Sequence, residues 1–523
     1  METYKKTMFH IFLVVNLFLW SLVASLRYVP SFDSMEAICW GELSSFGTNK
    51  HPPLSGWLMS SFYHLCGDNN FAIYLLGQIF ILISFIFVYK IAKFFVSEEK
   101  AICSAMILES CYYYTYYYFT DNFNCNIVLY PLWIMAIYYF YKCIKNNKTT
   151  DWILFGVVSG LAFLGKYQIV FLFAAMFIYL IIGRRDVFKQ SGMYLSVLVG
   201  GLLILPHVMW LFQNDFFSFG YMIERTHAHA GNLPVILIKL GHIFFPIKFI
   251  AGQLIALIGC ITIYAITALQ AKNIAFTNED GTKSDKIFLL IVFFIPILLQ
   301  GLMGLITGER VPSIWGSIMV GLAGLMLFYF LPIKFKENTF KYFSKWIFAA
   351  MIVSAIVSVC IGYLQTNNIM FMPIQKIEHD INKIWNERTD NAPLKYIGFG
   401  GMVAFPLKHF NNQKPTIILD TYGYKNPWIN YDDINKFGAI VVGDYIKDTA
   451  RNTREIFIQL PDNYKINPQK YEINICNKLN ICEKREFYYV IIPPTERNLK
   501  TYKKQNDNKF YRYLIMFVNL ISN

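Results

Sequence analysis

Two carboxylates three residues apart are the first feature of this sequence that could carry chemistry. Asp33 and Glu36 lie in the stretch DSMEAICWG, directly after a hydrophobic run of membrane-spanning length. On a helix, side chains three positions apart share one face, so both carboxylates would point the same way. At a membrane surface this pair could activate a polar acceptor, whereas Asp33 alone could simply be a first-turn acid that complements the helix dipole.

A cationic segment follows a few residues later. Lys50 and His51 precede Pro52 and Pro53, whose rings restrict the backbone. The prolines would hold the two side chains close to the membrane interface, where a cation could bind a phosphate. The alternative is an ordinary turn that leads into a helix over residues 54–65.

Three more charged residues lie in or beside apolar segments, where a charge is costly and often functional. Asp121, in FTDNF, could belong to the site or could be the N-cap of the helix that follows. Lys166, in FLGKYQ, could snorkel to the surface or bind a lipid phosphate as a point charge. Arg310, in GERVPSIWG, could be a second phosphate ligand or could pair with Glu309.

A metal site is a separate hypothesis. Glu224, His227 and His229 lie close together in IERTHAHAGN, and a loop carboxylate could complete a set of ligands for a divalent ion. No CxxC pair of the zinc-binding type occurs in the sequence. A divalent metal is therefore the one cofactor these residues suggest, and its requirement stays open.

The composition indicates a membrane protein. Of the 523 residues, 55% are hydrophobic and only 15% are charged. A helix needs about 20 apolar residues to cross a bilayer. Runs that approach this length predict about eleven transmembrane helices, at 8–26, 71–92, 101–119, 124–143, 152–165, 168–183, 193–213, 243–269, 287–306, 312–331 and 346–366.

Lysine and arginine are distributed unevenly between alternate loops. The set that includes the N-terminus holds 18 of them and the opposite set holds 7. Since short cytoplasmic loops carry the excess, the N-terminus is expected in the cytoplasm and residues 27–70 outside. An odd number of spans places residues 367–523 outside as well. The net charge of +13 is thus dispersed and does not predict nucleic-acid binding.

The C-terminal part has a different pattern. KYIGFGG (395–401), PTIILD (415–420), FGAIVVGD (437–444) and EFYYVIIPP (486–494) are short apolar strands separated by polar stretches, which predicts an α/β domain over 367–523 after a membrane domain over 1–366. In an oxidising exterior, Cys476 and Cys482 could form a disulfide. Cys39 and Cys66, in the first outer loop, are a second candidate pair.

In their order along the chain, these motifs resemble those of family 39 membrane glycosyltransferases, which have the GT-C fold. The group includes the bacterial transferase that adds aminoarabinose to lipid A and relatives of the protein O-mannosyltransferases. Two differences stand out: Ser34 and Met35 separate two acids that are adjacent in many members, and His51 replaces a lysine found before Pro-Pro in the lipid A aminoarabinose transferase. The matching stretches are DSMEAICWG, KHPPLSGWL, FTDNF, GLAFLGKYQIV, LPHVMWLFQNDFFSF, GERVPSIWG, NPWIN and FGAIVVGD.

The resemblance implies a GT-C fold with about 11 transmembrane helices, a soluble periplasmic α/β domain and a place in the bacterial inner membrane. It assigns the essential aspartate to Asp33, with Glu36 beside it, and a second acid to Asp121. It assigns donor-phosphate binding to Lys166 and Arg310, and Lys50 and His51 are candidates for the same role. Residues 27–70 would be the catalytic loop.

The implied reaction moves a sugar from a polyprenyl-phosphate donor to an envelope acceptor, with lipid A expected first, and inverts the anomeric carbon. A protein O-glycosyltransferase is the closest alternative. A transporter or flippase for a lipid-linked sugar is an alternative from another class, although such proteins usually contain internal repeats and none is visible here. The expected partners are the lipid donor, the acceptor and membrane lipids, without nucleic acid, and the chain is expected to be a monomer.

Overall fold

A computed structural model describes most of the chain, and the statements below concern these residues: 2–27, 29–115, 123–216, 218–220, 240–271, 282–331, 333–336, 338–364, 372–398, 404–418, 429, 431–443, 449, 453, 466–477 and 479–494.

Helices dominate the described residues. Those up to residue 364 are α1 (Glu2–Ser25), α2 (Phe32–Glu42), α3 (Leu54–Leu65), α4 (Asn70–Ala92), α5 (Glu98–Met106), α6 (Cys125–Asn146), α7 (Thr149–Gly165), α8 (Val170–Gly183), α9 (Ser191–Gln213), α10 (Gly241–Ala256), α11 (Ile258–Ala271), α12 (Lys283–Thr307), α13 (Ala323–Phe330) and α14 (Thr339–Leu364). Beyond them lie α15 (Ile374–Thr389), α16 (Ala404–Phe410) and α17 (Tyr431–Phe437).

Six of these helices, α1, α4, α6, α9, α12 and α14, are long and apolar enough to cross a membrane. The bent pair α10 and α11, which meet at 44°, would make a seventh span if the pair crosses as one. Two further predicted spans, 101–119 and 312–331, contain only short helices and 3₁₀ turns in their described parts. Membrane character is therefore clear, and the count of about eleven spans stays a prediction.

The membrane-type helices carry apolar side chains on both their inner and outer faces. Phe12 and Phe85 are fully buried between α1 and α4, whereas Val197 and Phe212 on α9 are 67% and 69% exposed. Outward apolar side chains of this size are unfavourable in water but favourable in a bilayer. The burial pattern thus agrees with helices that face lipid on one side and one another on the other.

A close crossing of α2 and α3 fixes the segment between α1 and α4. A Cβ atom added at Gly41 would lie 2.2 Å from the backbone oxygen of Gly56, so only glycine allows this approach. Lys408 on α16 also lies 2.5 Å from the carboxylate of Glu42 at the end of α2. The segment is therefore held between α3 and the C-terminal part of the chain.

The C-terminal residues form one mixed sheet of five strands in the order β2-β1-β3-β5-β4. The strands are β1 (Tyr396–Gly398), β2 (Thr416–Ile418), β3 (Ala439–Gly443), β4 (Gln469–Cys476) and β5 (Cys482–Ile492). β1 pairs in parallel with β2 and β3, and β5 pairs antiparallel with β3 and β4. The four strand motifs of the sequence contain β1, β2, β3 and most of β5, while β4 was not predicted; the domain boundaries stay predictions.

Of the two candidate disulfides, one is formed and the other is not. Cys476 and Cys482 are bonded at the end of the β4–β5 hairpin. The second candidate pair was wrong, because Cys39 and Cys66 are both free. Cys39 is buried on α2 in a hydrophobic cluster with C-terminal residues, whereas Cys66 is exposed just beyond α3.

Gly41→Ala should destabilise the protein, because the new methyl group would overlap the backbone of Gly56. Overpacking of this kind costs about 1–3 kcal/mol. Gly201→Ala on α9 is the matched control, since nothing lies within 4 Å of its Cβ position. Thermal unfolding in detergent should show a lower melting temperature for Gly41→Ala alone. Equal melting temperatures for the two variants would contradict the close crossing.

Candidate active site

The N-terminal turn of α2 directs neighbouring side chains to different surroundings. Ser31 caps the helix by accepting a hydrogen bond from the backbone N–H of Ser34. The hydroxyl of Ser34 contacts both the backbone N–H and the backbone C=O of Phe123 at 3.0 Å, which ties α2 to the segment before α6. Met35 is buried in a cluster with C-terminal residues. The other two side chains of this turn, Asp33 and Glu36, line a cavity.

This cavity has a volume of about 660 Å³ and lies among α2, α6, α7, α8 and the residues that follow α12. Its walls combine the charged candidates with aromatic and aliphatic side chains. The lining residues are Asp33, Glu36, Ala37, Trp40, Lys50, His51, Ser55, Asn124, Cys125, Asn126, Phe163, Lys166, Tyr167, Gln168, Val170, Phe171, Ser218, Phe219, Gln300, Met303, Ile314 and Trp315.

Glu36 and Lys50 form an ion pair in the cavity wall, with 2.6 Å between Oε1 and Nζ. Only 3% of Glu36 is exposed. Burial raises the pKa of Glu36 to about 7, with a further rise from nearby Asp33, and Lys50 offsets part of both effects. Asp33, by contrast, is exposed at the cavity surface. The two carboxylates thus share one face but differ in environment.

A tight turn positions Lys50 and His51. The hydroxyl oxygen of Thr48 accepts hydrogen bonds from the backbone N–H of Lys50 at 3.2 Å and of His51 at 2.9 Å. The indole N–H of Trp40 donates to the side chain of Asn49 at 3.1 Å, which attaches the turn to α2. Pro52 and Pro53 then lead directly into α3. The predicted turn into a helix is therefore present, and the side chains of Lys50 and His51 line the cavity.

His51 is a half-buried side chain at the cavity wall. The surrounding protein lowers the pKa of His51 well below its usual range, and the positive charges of Lys166 and Lys50 lower it further. At neutral pH the imidazole is therefore uncharged. It can offer one N–H donor to an anion, while the lysines supply the positive charge.

The segment before α6 reaches the site through Asn124. Asn124 is the N-cap of α6, because its side-chain oxygen accepts hydrogen bonds from the backbone N–H groups of Asn126 and Ile127. Its amide nitrogen lies 3.4 Å from Oδ2 of Asp33. The alternative role of Asp121 as this cap was therefore wrong. Asp121 itself lies outside the described residues.

Lys166 is the most enclosed cation of the cavity, with 8% of the residue exposed. It ends α7 in an extended conformation, and its Nζ donates to the side-chain oxygen of Asn126 at 2.5 Å. The ammonium group also lies 5.8 Å from the ring centre of Trp315. Within the described part of the chain, the hydrogen-bond acceptor of this cation is a neutral amide and not a carboxylate.

The other predicted site residues either are not part of the described cavity lining or lie outside the described residues. Arg310 is half-buried in the extended segment after α12. Of the residues that follow α12, Ile314 and Trp315 line the cavity and Arg310 does not. Among the described residues, no group of three or more His, Cys, Asp or Glu side chains could hold a metal ion. The candidate ligands Glu224, His227 and His229 lie outside the described residues.

Gln168 and Gln300 are among the cavity residues that the sequence analysis did not single out. The side-chain amide of Gln168 donates to the side chain of Gln300 at 2.8 Å and to the backbone oxygen of Trp315 at 2.6 Å. Its own Oε1 is buried and has no hydrogen-bond partner among the described residues. A glutamine two residues after Lys166 in an otherwise apolar run was the available signal. Its unused side-chain oxygen could accept a hydrogen bond from a hydroxyl group of a bound molecule.

Deprotonation of Glu36 should make the folded protein less stable. The folded state loses this proton near pH 7, whereas an unfolded chain loses it near 4.5, so the contribution of Glu36 to the free energy of unfolding falls as pH rises between these values. A difference of one unit between the pKa values of the folded and unfolded states corresponds to about 1.4 kcal/mol in the free energy of unfolding. Glu36→Gln should remove this part of the pH dependence, and thermal unfolding between these limits measures it.

Glu387→Gln is the control, because Glu387 is exposed on α15. This variant should keep the wild-type pH profile. If Glu36→Gln shows the same dependence of stability on pH as the wild type, the pKa of Glu36 is not raised in the folded state.

Comparison with known proteins shows that part of this sequence matches a known family. Residues 50–210 match the family model described as dolichyl-phosphate-mannose-protein mannosyltransferase. The matched range contains Lys50, His51 and Lys166. This match confirms the resemblance to membrane glycosyltransferases that the sequence motifs indicated.

The lipid A galacturonosyltransferase RgtD of Rhizobium johnstonii is 22% identical over 302 residues, which are 55% of this chain and 58% of that protein. The chain thus spans little more than half the length of this relative. Two solved structures of the Archaeoglobus fulgidus oligosaccharyltransferase show weak likeness. The apo form has a TM-score of 0.49 at 10% identity, and the complex with an inhibitory peptide and a dolichol-phosphate has 0.44 at 11%; each alignment covers 92% of this chain and 74% of the other.

Proposed function

We propose that this chain, which is similar over residues 50–210 to the dolichyl-phosphate-mannose-protein mannosyltransferase family, is a membrane glycosyltransferase. Its donor would be a sugar on a polyprenyl phosphate, and its acceptor an envelope molecule, with lipid A favoured by the lipid A galacturonosyltransferase relative. The reaction would take place at the periplasmic face of a bacterial inner membrane, as the loop charges favour.

The environment of Lys166 carries this proposal. A buried ammonium group without an anionic partner is unfavourable, and the described acceptor of Lys166 is the neutral amide of Asn126. The carboxylate of Asp33 is close enough to interact electrostatically with Lys166, but it is not its described hydrogen-bond acceptor, and a donor phosphate would supply an anionic one. The same cavity wall offers apolar side chains, including Phe163, Phe171 and Met303, which suit a lipid-linked molecule. One cavity therefore combines an anion-binding group with a lipid-compatible surface.

Asp33 is the proposed general base for a hydroxyl acceptor. It lies on the same cavity as Lys166, but it is exposed, and its described hydrogen bond comes from the amide of Asn124. As the acceptor oxygen attacks the anomeric carbon, Asp33 would take the hydroxyl proton. The bond from the sugar to the phosphate would break on the opposite side, so the anomeric carbon would invert.

The remaining charged residues would support these two steps. Lys50 and neutral His51 would help to bind the departing phosphate, which is the main catalytic contribution expected in such a site. Glu36 would hold Lys50 in place through their ion pair. Asp121 and Arg310 keep their proposed roles as a second acid and a second phosphate ligand. If the acceptor is itself a phosphate of lipid A, it is already nucleophilic and Asp33 would orient it.

A protein acceptor is the second candidate. It is favoured by the description of the matching family, whose members are named as protein mannosyltransferases. The donor chemistry would be the same in both cases. Only the acceptor distinguishes them, so the experiment must observe the product.

Asp33→Asn should reduce sugar transfer by roughly 10²- to 10⁴-fold if Asp33 is the general base, since that is the usual contribution of such a group. Mass spectrometry of lipid A from cells with the wild-type gene, a deletion and this variant measures it. A sugar-sized mass should disappear in the last two strains. Asp68→Asn is the control, because Asp68 is exposed outside the cavity and its φ of 58° suits asparagine.

Full transfer by Asp33→Asn would exclude Asp33 as base. An unchanged lipid A in the deletion strain would exclude lipid A as acceptor and direct the search to glycoproteins. Loss of transfer in Asp68→Asn as well would indicate that the outer segment had been disturbed as a whole.

Lys166→Gln should weaken donor recognition, because glutamine can still bond to Asn126 but cannot neutralise a phosphate. Charged hydrogen bonds contribute about 1.5–3 kcal/mol, so kcat/KM for the donor should fall roughly 10- to 100-fold. The measurement is transfer by purified protein at varied donor concentration. Lys248→Gln, on the exposed face of α10, removes the same charge outside the cavity and should retain wild-type values. Equal kinetics for both variants would contradict phosphate binding by Lys166.

A further inference from the structure

The hairpin of β4 and β5 ends in an apolar tip that the proposed reaction does not use. We propose that this tip inserts into the bilayer surface beside the end of α14 and so attaches the C-terminal sheet to the membrane. The tip lies between Cys476 and Cys482, which are joined by a disulfide. This inference does not depend on the proposed transferase activity.

The hairpin projects beyond the rest of the described sheet. β3 ends its pairing with β5 at the partners Gly443 and Tyr488. The preceding residues of β5, from Cys482 to Phe487, pair with β4 alone among the described strands. At about 3.3 Å per residue, these six residues form an arm of roughly 20 Å. Such an arm can place its tip well away from the sheet.

The arm reaches the last turn of a membrane-type helix. The side-chain amide of Asn477 donates to the backbone oxygen of Leu364 at 3.1 Å. Leu364 is the final residue of α14, which is one of the six helices able to span a membrane. Tyr363 and Leu364 are themselves 38% and 60% exposed. The tip is therefore continuous with a surface that the bilayer would cover.

Two exposed apolar side chains occupy the tip. Leu479 is 59% exposed and Ile481 is 57% exposed. Among the described residues after α14, these are the only large hydrophobic side chains that are exposed to this extent. The other large apolar side chains described in this part of the chain are buried or partly buried. Among the described residues after α14, the strong apolar exposure thus lies at a point that contacts the end of α14.

The backbone of the tip is suited to an apolar environment, where unpaired polar groups are costly. The side-chain oxygen of Asn477 accepts hydrogen bonds from the backbone N–H groups of Leu479 at 2.9 Å and Ile481 at 3.0 Å. The backbone N–H of Asn477 donates to the oxygen of Ile481 at 3.0 Å, and that of Asn480 donates to the oxygen of Asn477 at 3.1 Å. The turn therefore satisfies these groups internally while its two apolar side chains point outward.

Photo-crosslinking tests this contact with the full-length chain. The crosslinking amino acid p-benzoylphenylalanine is placed at Leu479, at Ile481 or, as a control, at exposed Glu387 on α15. Each variant is reconstituted in phosphatidylcholine nanodiscs and irradiated, and adducts are identified by mass spectrometry. Lipid adducts should form at positions 479 and 481 and not at position 387.

The use of two tip positions guards against a single variant that fails to fold. The proposal is overturned if monodisperse protein with the probe at either tip position gives no lipid adduct. It is also overturned if the tip positions give adducts no more often than position 387, or crosslink only to protein.

Discussion

The position of the short helix α2 is the constraint on which the candidate site depends. Successive side chains of one turn must meet different neighbours: Ser34 bonds to the backbone of Phe123, Met35 enters the C-terminal hydrophobic cluster, and Asp33 and Glu36 line the cavity. A rotation of the helix by one residue would break all of these relationships together. The positions of the two carboxylates are thus fixed by packing and hydrogen-bond contacts of Ser34 and Met35, which have no part in the proposed reaction.

The electrostatic arrangement of the cavity follows from this placement. Glu36 has a cationic partner in Lys50, whereas the described partner of Lys166 is a neutral amide. Among the described residues, Glu36 is therefore neutralised by an ion pair, whereas Lys166 has no anionic hydrogen-bond acceptor. In a partly enclosed space such charges interact more strongly than they would in water, which favours a phosphate-bearing ligand over a neutral one.

Part of this arrangement could be predicted from the sequence. The spacing of Asp33 and Glu36 was enough to place both on one helix face, and the isolated charge of Lys166 in an apolar run marked it as a candidate, which the structure places in the same cavity. The sequence suggested Asp121 as a possible cap of α6, but the cap is Asn124, a residue type that caps helices equally well. β4 escaped notice because its sequence, QKYEINIC, is mostly polar and only two of its side chains are fully buried. The count of about eleven spans stays a prediction, since short and bent helices resemble full spans in composition.

The central claim is that the cavity recognises a polyprenyl phosphate. Native mass spectrometry of the purified chain, offered a polyprenyl phosphate and the matching polyprenol in equal amounts, tests it most directly. One molecule of the phosphate-bearing lipid should be retained in preference to the alcohol. Equal retention of the two lipids would contradict it, because the buried cation would then contribute nothing to recognition.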